Sequence, residues 1–141
     1  MPKKDVTITL TVDTDGLWGN ESVDTYCSLS DDNNGSTPNG KPEKFESAVY
    51  PSRKVTWIVK KKFSNAEKDV ELTEVDYERG EEIFGNNPLF ADNNGKIKQD
   101  VLDDAATGDE DTYKIKFKLV DKSQNSHQDN EVDPKLRVHD R

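Results

Sequence analysis

Apolar side chains in this chain recur at every second position, a period that admits β-strands and little else. Tyr113, Ile115, Phe117 and Leu119 alternate with Lys114, Lys116 and Lys118, and Val6, Ile8, Leu10 and Val12 alternate with Thr7, Thr9 and Thr11. A pleated strand sends successive side chains to opposite faces, so each segment buries one set and wets the other. Val55, Trp57 and Val59 repeat the pattern, with Lys60, Lys61 and Lys62 carrying the segment outward. Weaker strands are predicted from Val23 to Leu29, from Phe45 to Tyr50 before Pro51, and from Lys96 to Leu102. Val70 and Leu72 are out of phase with Val75 and Tyr77, which predicts a β-bulge between the pairs. In the last segment Val132, Pro134, Leu136 and Val138 share one face, with Asp133, Lys135 and Arg137 on the other.

Turn-forming runs separate these segments, among them Asp13-Thr14-Asp15-Gly16, the stretch from Asp31 to Gly40, and Asp92-Asn93-Asn94-Gly95. Ile83 to Phe90 reads as an apolar loop plugging one end of the core. The pattern contains no convincing helix. The expected fold is all-β: a single antiparallel β-sandwich, immunoglobulin-like in general architecture, of about eight strands in one domain over residues 1–141.

Only 30% of the residues are apolar and 35% are charged, so the core is thin and the loops are polar. Twenty-nine acids against twenty bases give a net charge of −9, which disfavours nucleic acid and anionic membrane as partners. No apolar run is long enough to span a bilayer and no signal core precedes the first strand, so a cytoplasmic protein is expected. Cys27 is the single cysteine, which excludes an internal disulfide and a Cys-based zinc site, and His127 and His139 alone make no metal centre. No Ser-His-Asp set or phosphate-cradling glycine loop is present, so no cofactor and no small-molecule substrate is expected. Self-association into a homo-oligomer or larger assembly, through exposed strand edges or loops, is the partner class left open.

One dipeptide carries chemistry. Asp133-Pro134 is the chain's sole Asp-Pro bond and stands just before the last strand. An Asp carboxylate can attack its own main-chain carbonyl, closing a five-membered anhydride and expelling the next nitrogen. A Pro nitrogen leaves unusually easily because it is readily protonated. The nucleophile is already tethered to its target. The plainer reading is an Asp in a turn before a Pro that opens a strand. A hairpin from Asp121 to Asn130 that paired Val120 near Glu131 would bring Asp133 to Lys118, with Lys116 one step away. Glu131 would then be a proton partner, and Lys118 or Lys116 would open the anhydride to leave an isopeptide in place of hydrolysis. A carboxylate activating water on the same bond is the other route.

The β-strand order together with Asp133-Pro134-Lys135-Leu136-Arg137-Val138-His139-Asp140-Arg141 resembles the small bacterial DP-EP family. That resemblance implies aspartic-type self-cleavage between Asp133 and Pro134, and joining of an upstream lysine to the new Asp end. The Glu-Pro half of the family's name has no counterpart here; the chain has Pro42-Glu43 instead. A Pro-led last strand is similar also to that of bacterial inclusion-body proteins, which implies no catalysis.

Other features have competing readings. Lys114, Lys116, Lys118, Lys135 and Arg137 would form a basic stripe for a polyanion, or a solvated face whose lysines guard a sheet edge. Asp13 and Asp15, Asp31 and Asp32, Asp92, Asp103 and Asp104, and Asp109, Glu110 and Asp111 lie in acidic loops that would stabilise the fold by binding calcium, or simply make tight turns. Trp57 is expected in the core. Trp18 is expected in a loop, as an exposed contact or a cap.

Overall fold

Strand β1 (Val6–Val12) forms where the threonine alternation predicts it, every apolar residue inward. The computed structural model describes residues 5–20, 22–32, 42, 45–80, 83–85 and 89–138, with 77–80 described along the main chain only. After β1 come two single helical turns, α1 (Thr14–Leu17) and α2 (Val23–Tyr26). The Asp13 carboxylate accepts from Gly16 N–H at 3.1 Å and caps α1. The second turn occupies half of the segment expected as a strand. Strand β2 (Cys27–Asp31) meets β1 only from Cys27, which faces Val12, the last residue of β1. Upstream of Cys27 no strand lies alongside among the described residues, and the Thr25 and Tyr26 N–H groups bond back to Ser22 O at 3.0 and 3.3 Å.

The remaining strands are β3 (Glu46–Val49), β4 (Lys54–Lys61), β5 (Asp69–Gly80), β6 (Leu89–Phe90), β7 (Ile97–Asp100), β8 (Glu110–Asp121), β9 (Ser126–Val132) and β10 (Lys135–Val138). The protein is all-β, with ten strands among the described residues where about eight were expected. The strands make two sheets. One runs β2-β1-β4-β7; the other runs β3-β10-β8-β5-β6, with β9 also on β8. Neither sheet is purely antiparallel, which corrects the expected topology. β1 runs parallel to β4, and β3 parallel to β10. The cause is the path of the chain: β3 lies in the other sheet, so β4 returns beside β1 pointing the same way.

Inward faces of both sheets join in one apolar cluster. Trp57, Phe45, Tyr113 and Phe117 are its largest fully buried side chains. Trp57 Nε1–H donates to the Tyr113 hydroxyl at 3.1 Å, which satisfies two polar groups that burial would otherwise penalise. The Phe84 ring meets Trp57 edge-on at 5.5 Å, so Ile83 and Phe84 do plug the core as their composition suggested. Phe90 points out, 66% exposed. The bulge in β5 falls at Thr73: register passes from Leu72 facing Phe117 to Glu74 facing Lys116. The Thr73 hydroxyl donates to Lys116 O at 2.8 Å and so ties the bulge to β8.

What most affects the candidate site is the relation of β9 to β10. Both pair with the same edge of β8 in one unbroken register, Val132 facing Ile115 and Lys135 facing Thr112. Asp133 and Pro134 therefore stand opposite Lys114 and Tyr113 within a single extended line. Tyr113 N–H donates to Pro134 O at 3.2 Å, and Pro134 has no N–H to return the bond. Beyond Pro134 the line is flanked on its other side by β3; before it, along β9, no second strand follows among the described residues.

Candidate functional site

Strand alternation fixes which way the site residues point. Val132, Pro134, Leu136 and Val138 are buried and Asp133 is exposed, as the sequence pattern predicted. The outer face around Asp133 carries Glu131 on its own strand and the lysines of β8 opposite. Glu131 is ion-paired with Lys114, Nζ to carboxylate 2.9 Å. Lys114 is also the residue whose register position faces Asp133.

The lysines assigned from the sequence sit elsewhere, and this is a correction. The hairpin pairs Val120 with His127 in place of Glu131, a slip of four residues that keeps every side chain on its expected face. Lys118 consequently faces Asp129 and Lys116 faces Glu131. Lys118 is paired with Glu71 at 3.6 Å, and Lys116 lies 3.3 Å from Asp76 and 3.6 Å from Glu74. The bond to Asp76, and then the Glu74 charge, raise the pKa of Lys116 and hold it as an ammonium, a poor nucleophile. The structure thus gathers Asp133, Lys114 and Glu131, and leaves Lys116 and Lys118 to β5 and β9. The error has a physical source. β9, Ser126-His127-Gln128-Asp129-Asn130-Glu131-Val132, is polar at six of seven positions and gives no alternation from which to set a register.

A further carboxyl group belongs to the same neighbourhood but to the opposite face. Asp111 faces Leu136 of β10 on one side and Gly80 of β5 on the other. It is 1% exposed, and its Oδ1 has no hydrogen-bond partner. Loss of water pushes its pKa up to about 8, so Asp111 is a neutral carboxylic acid at neutral pH. Ser47 of β3 flanks Leu136 from the far side and donates its hydroxyl to the Asp31 carboxylate of the other sheet. Tyr113, fully buried, has its phenol pKa raised first by burial and then by the Asp111 and Asp31 charges. Composition alone groups Asp111 with an acidic loop. The signal that relocates it is the alternation itself: it is in phase with Tyr113, Ile115, Phe117 and Leu119, hence inward.

The chain matches no family model, and no curated protein matches it. Its fold is similar to that of an inclusion body protein, PixA, from Burkholderia cenocepacia J2315. That crystal structure superposes with a TM-score of 0.73 at 12% identity, over 99% of this chain and 98% of that one. The likeness is one of fold, and it runs from one end of the chain to the other.

The other candidate groups have local duties. The basic stripe is matched by acids: Lys114, Lys116 and Lys118 pair as described, and Arg137 reaches Glu46 at 3.1 Å and Glu110 at 2.6 Å. Asp15 accepts from Glu67 and Lys68 N–H at 3.1 and 2.9 Å, and Asp92 from Asn94 and Lys96 N–H at 2.8 and 3.1 Å. These bonds lower both carboxyl pKa values; Asp92 caps its own turn, and Asp15 ties α1 to the chain at Glu67 and Lys68. Among the described residues no group of three or more His, Cys, Asp or Glu is arranged to hold a metal ion. His139 and residues 33–40 lie outside the described residues. Trp57 is in the core as expected; Trp18 is partly buried against it, with Lys68 Nζ 5.3 Å from its ring centre. No described helix is long and apolar enough to cross a membrane.

Proposed function

We propose that this chain is a structural, self-associating β-sandwich, immunoglobulin-like only in having two facing sheets around a core, and that it works by assembling with copies of itself. The observation that supports this reading is the likeness in fold, from end to end of the chain, to a protein described as an inclusion body protein. The charge pattern agrees. Cations and anions on the outer sheet face neutralise one another, and the net charge of −9 keeps separate molecules soluble until specific contacts form. Sedimentation velocity over a concentration series, with electron microscopy of concentrated samples, tests it. Reversible growth into dimers and larger ordered particles is expected. A strictly monomeric chain up to its solubility limit would refute it.

Self-cleavage at Asp133-Pro134, of the kind the DP-EP resemblance implies, is a second reading supported by one observation: a lysine, Lys114, faces Asp133 across the ladder. In that reaction an Asp133 carboxylate oxygen bonds to the Asp133 carbonyl carbon. The C–N bond breaks, and the Pro134 nitrogen leaves with a proton. Water then opens the anhydride to two carboxyl groups, or Lys114 Nζ opens it to an amide and one carboxyl group, losing a proton. β10 would stay lodged between β3 and β8 after the cut, so the assay is intact mass under denaturing conditions after long incubation of folded protein. A fragment beginning at Pro134 that is absent from Asp133→Asn supports the reaction, and Lys114→Ala should remove only the crosslinked form. One unbroken mass throughout refutes it.

A further inference from the structure

The six-stranded sheet is stepped. β3 covers the line of β9 and β10 only from Lys135 onward, and along β9 the edge facing away from β8 carries no further strand and no main-chain hydrogen bond among the described residues, with α2 packed nearby. Which main-chain groups it presents follows from the bonds already described. Pro134 O accepts from Tyr113, and in an antiparallel ladder every second residue bonds the same neighbour, so Ser126, Gln128, Asn130 and Val132 bond β8. His127, Asp129 and Glu131 then aim their N–H and C=O groups at the open side. Lys135, in the same phase, does so too, and its N–H reaches Phe45 O of the strand that covers it at 2.9 Å.

The edge is also held in place. The Gln128 side chain accepts from Gly19 N–H at 2.6 Å and donates to Leu17 O and Asn20 O at 3.3 and 3.2 Å, tying β9 to the loop after α1. Such an edge presents a ready ladder to another strand.

The geometry points to a second copy of this chain as that strand's source: β9 pairs antiparallel with β9 of the second copy about a two-fold axis at Gln128. This inference rests on the self-association proposed above and names its contact. The register follows from charge. Centring on Gln128 sets His127 opposite Asp129 of the second copy, twice by symmetry, and Ser126 opposite Asn130; it closes four main-chain hydrogen bonds through His127 and Asp129. Centring on Asp129 closes a similar ladder but places Asp129 against its own copy. Centring on Asn130 sets Asp129 against Glu131. Of these three, only the Gln128 register avoids an acid–acid pair, and centring on His127 would run the ladder into the turn at Asn125, whose φ is +50°. A ladder this short makes a small interface, so the dimer is concentration-dependent and joins two six-stranded sheets into one.

Asp129→Pro tests it, because the lost N–H points to the open side and the β8 ladder is untouched. Sedimentation velocity should show dimerisation weakened by at least about tenfold, since two symmetric hydrogen bonds go, with an unchanged circular dichroism spectrum. A gentler pair fixes the register. His127→Asp should weaken the dimer by setting two acids face to face, and adding Asp129→Lys to it should restore association by setting opposite charges there. Wild-type dimers that withstand Asp129→Pro, or that are weakened by His127→Asp and not rescued, overturn the β9 contact while leaving self-association standing. Wild-type protein that never associates overturns both.

Discussion

Asp111 should make the stability of this fold fall as pH rises. In the unfolded chain its carboxyl ionises near 3.8, and in the folded chain near 8, because burial removes the water that would solvate the charge. Between those values the folded state holds one proton more than the unfolded state, so unfolding free energy declines by about 1.4 kcal/mol per pH unit. The full displacement of about four units corresponds to at most about 6 kcal/mol, of which about 4 kcal/mol is in force at neutral pH. Asp111→Asn removes the titration and keeps the shape. The new amide brings N–H donors into a site that has no partner even for Oδ1, at a cost of about 1–3 kcal/mol. The variant is therefore expected to be less stable than wild type near pH 3, where the acid is largely protonated in both states, and more stable by about 1–3 kcal/mol near pH 7. Urea unfolding at several pH values across that interval measures the difference directly. A stability difference that stays constant with pH would refute the reasoning, since it would mean that Asp111 has the same proton affinity folded and unfolded.

Other outcomes follow from the packing. Leu136→Ala, at a fully buried position between Asp111 and Ser47, should cost about 2–5 kcal/mol in denaturant unfolding. Trp57→Phe leaves the buried Tyr113 hydroxyl without its donor and removes indole volume, and should cost about 2–4 kcal/mol by the same measurement. Gly16→Ala would set a methyl group 2.6 Å from an Asp13 oxygen and 2.6 Å from the Tyr26 ring, and should lower the thermal midpoint with a loss of about 1–3 kcal/mol. Cys27 is 3% exposed and its thiol is pushed up to about 12 by burial first, then by the Asp24 and Asp13 charges. Thiol reagents should label it only at the rate of unfolding, and fast labelling of folded protein would contradict that.

The sequence was most legible where one face of a strand is buried and the other wet. β1, β4 and β8 lie where their apolar residues alternate, and the phase break between Leu72 and Val75 marks the bulge at Thr73. It was least legible where pairing is not set by burial. β9 is held by main-chain bonds and by Gln128, with hardly an apolar residue to announce it, and missing it moved the partner of Asp133 from Lys114 to Lys118. The parallel pairs were also hidden, because β-propensity carries no sense of direction and the choice depends on which sheet β3 joins. Asp111 stood in plain view. Composition labelled it a loop acid, and only its phase with Tyr113 marked it as buried.

The place of β10 has a bearing on synthesis. Residues 135–138 fill the slot between β3, made of residues 46–49, and the start of β8. A nascent chain would hold that slot vacant until β10 had cleared the ribosome, with the inner faces of β3 and β8 bare in the interval. Neighbouring chains on one message would meet in that state, each carrying an empty seat and, slightly later, a strand able to occupy its neighbour's. Whether molecules leave the polysome singly or interlocked would then be a contest between the speed at which β10 emerges and the spacing of the ribosomes behind it.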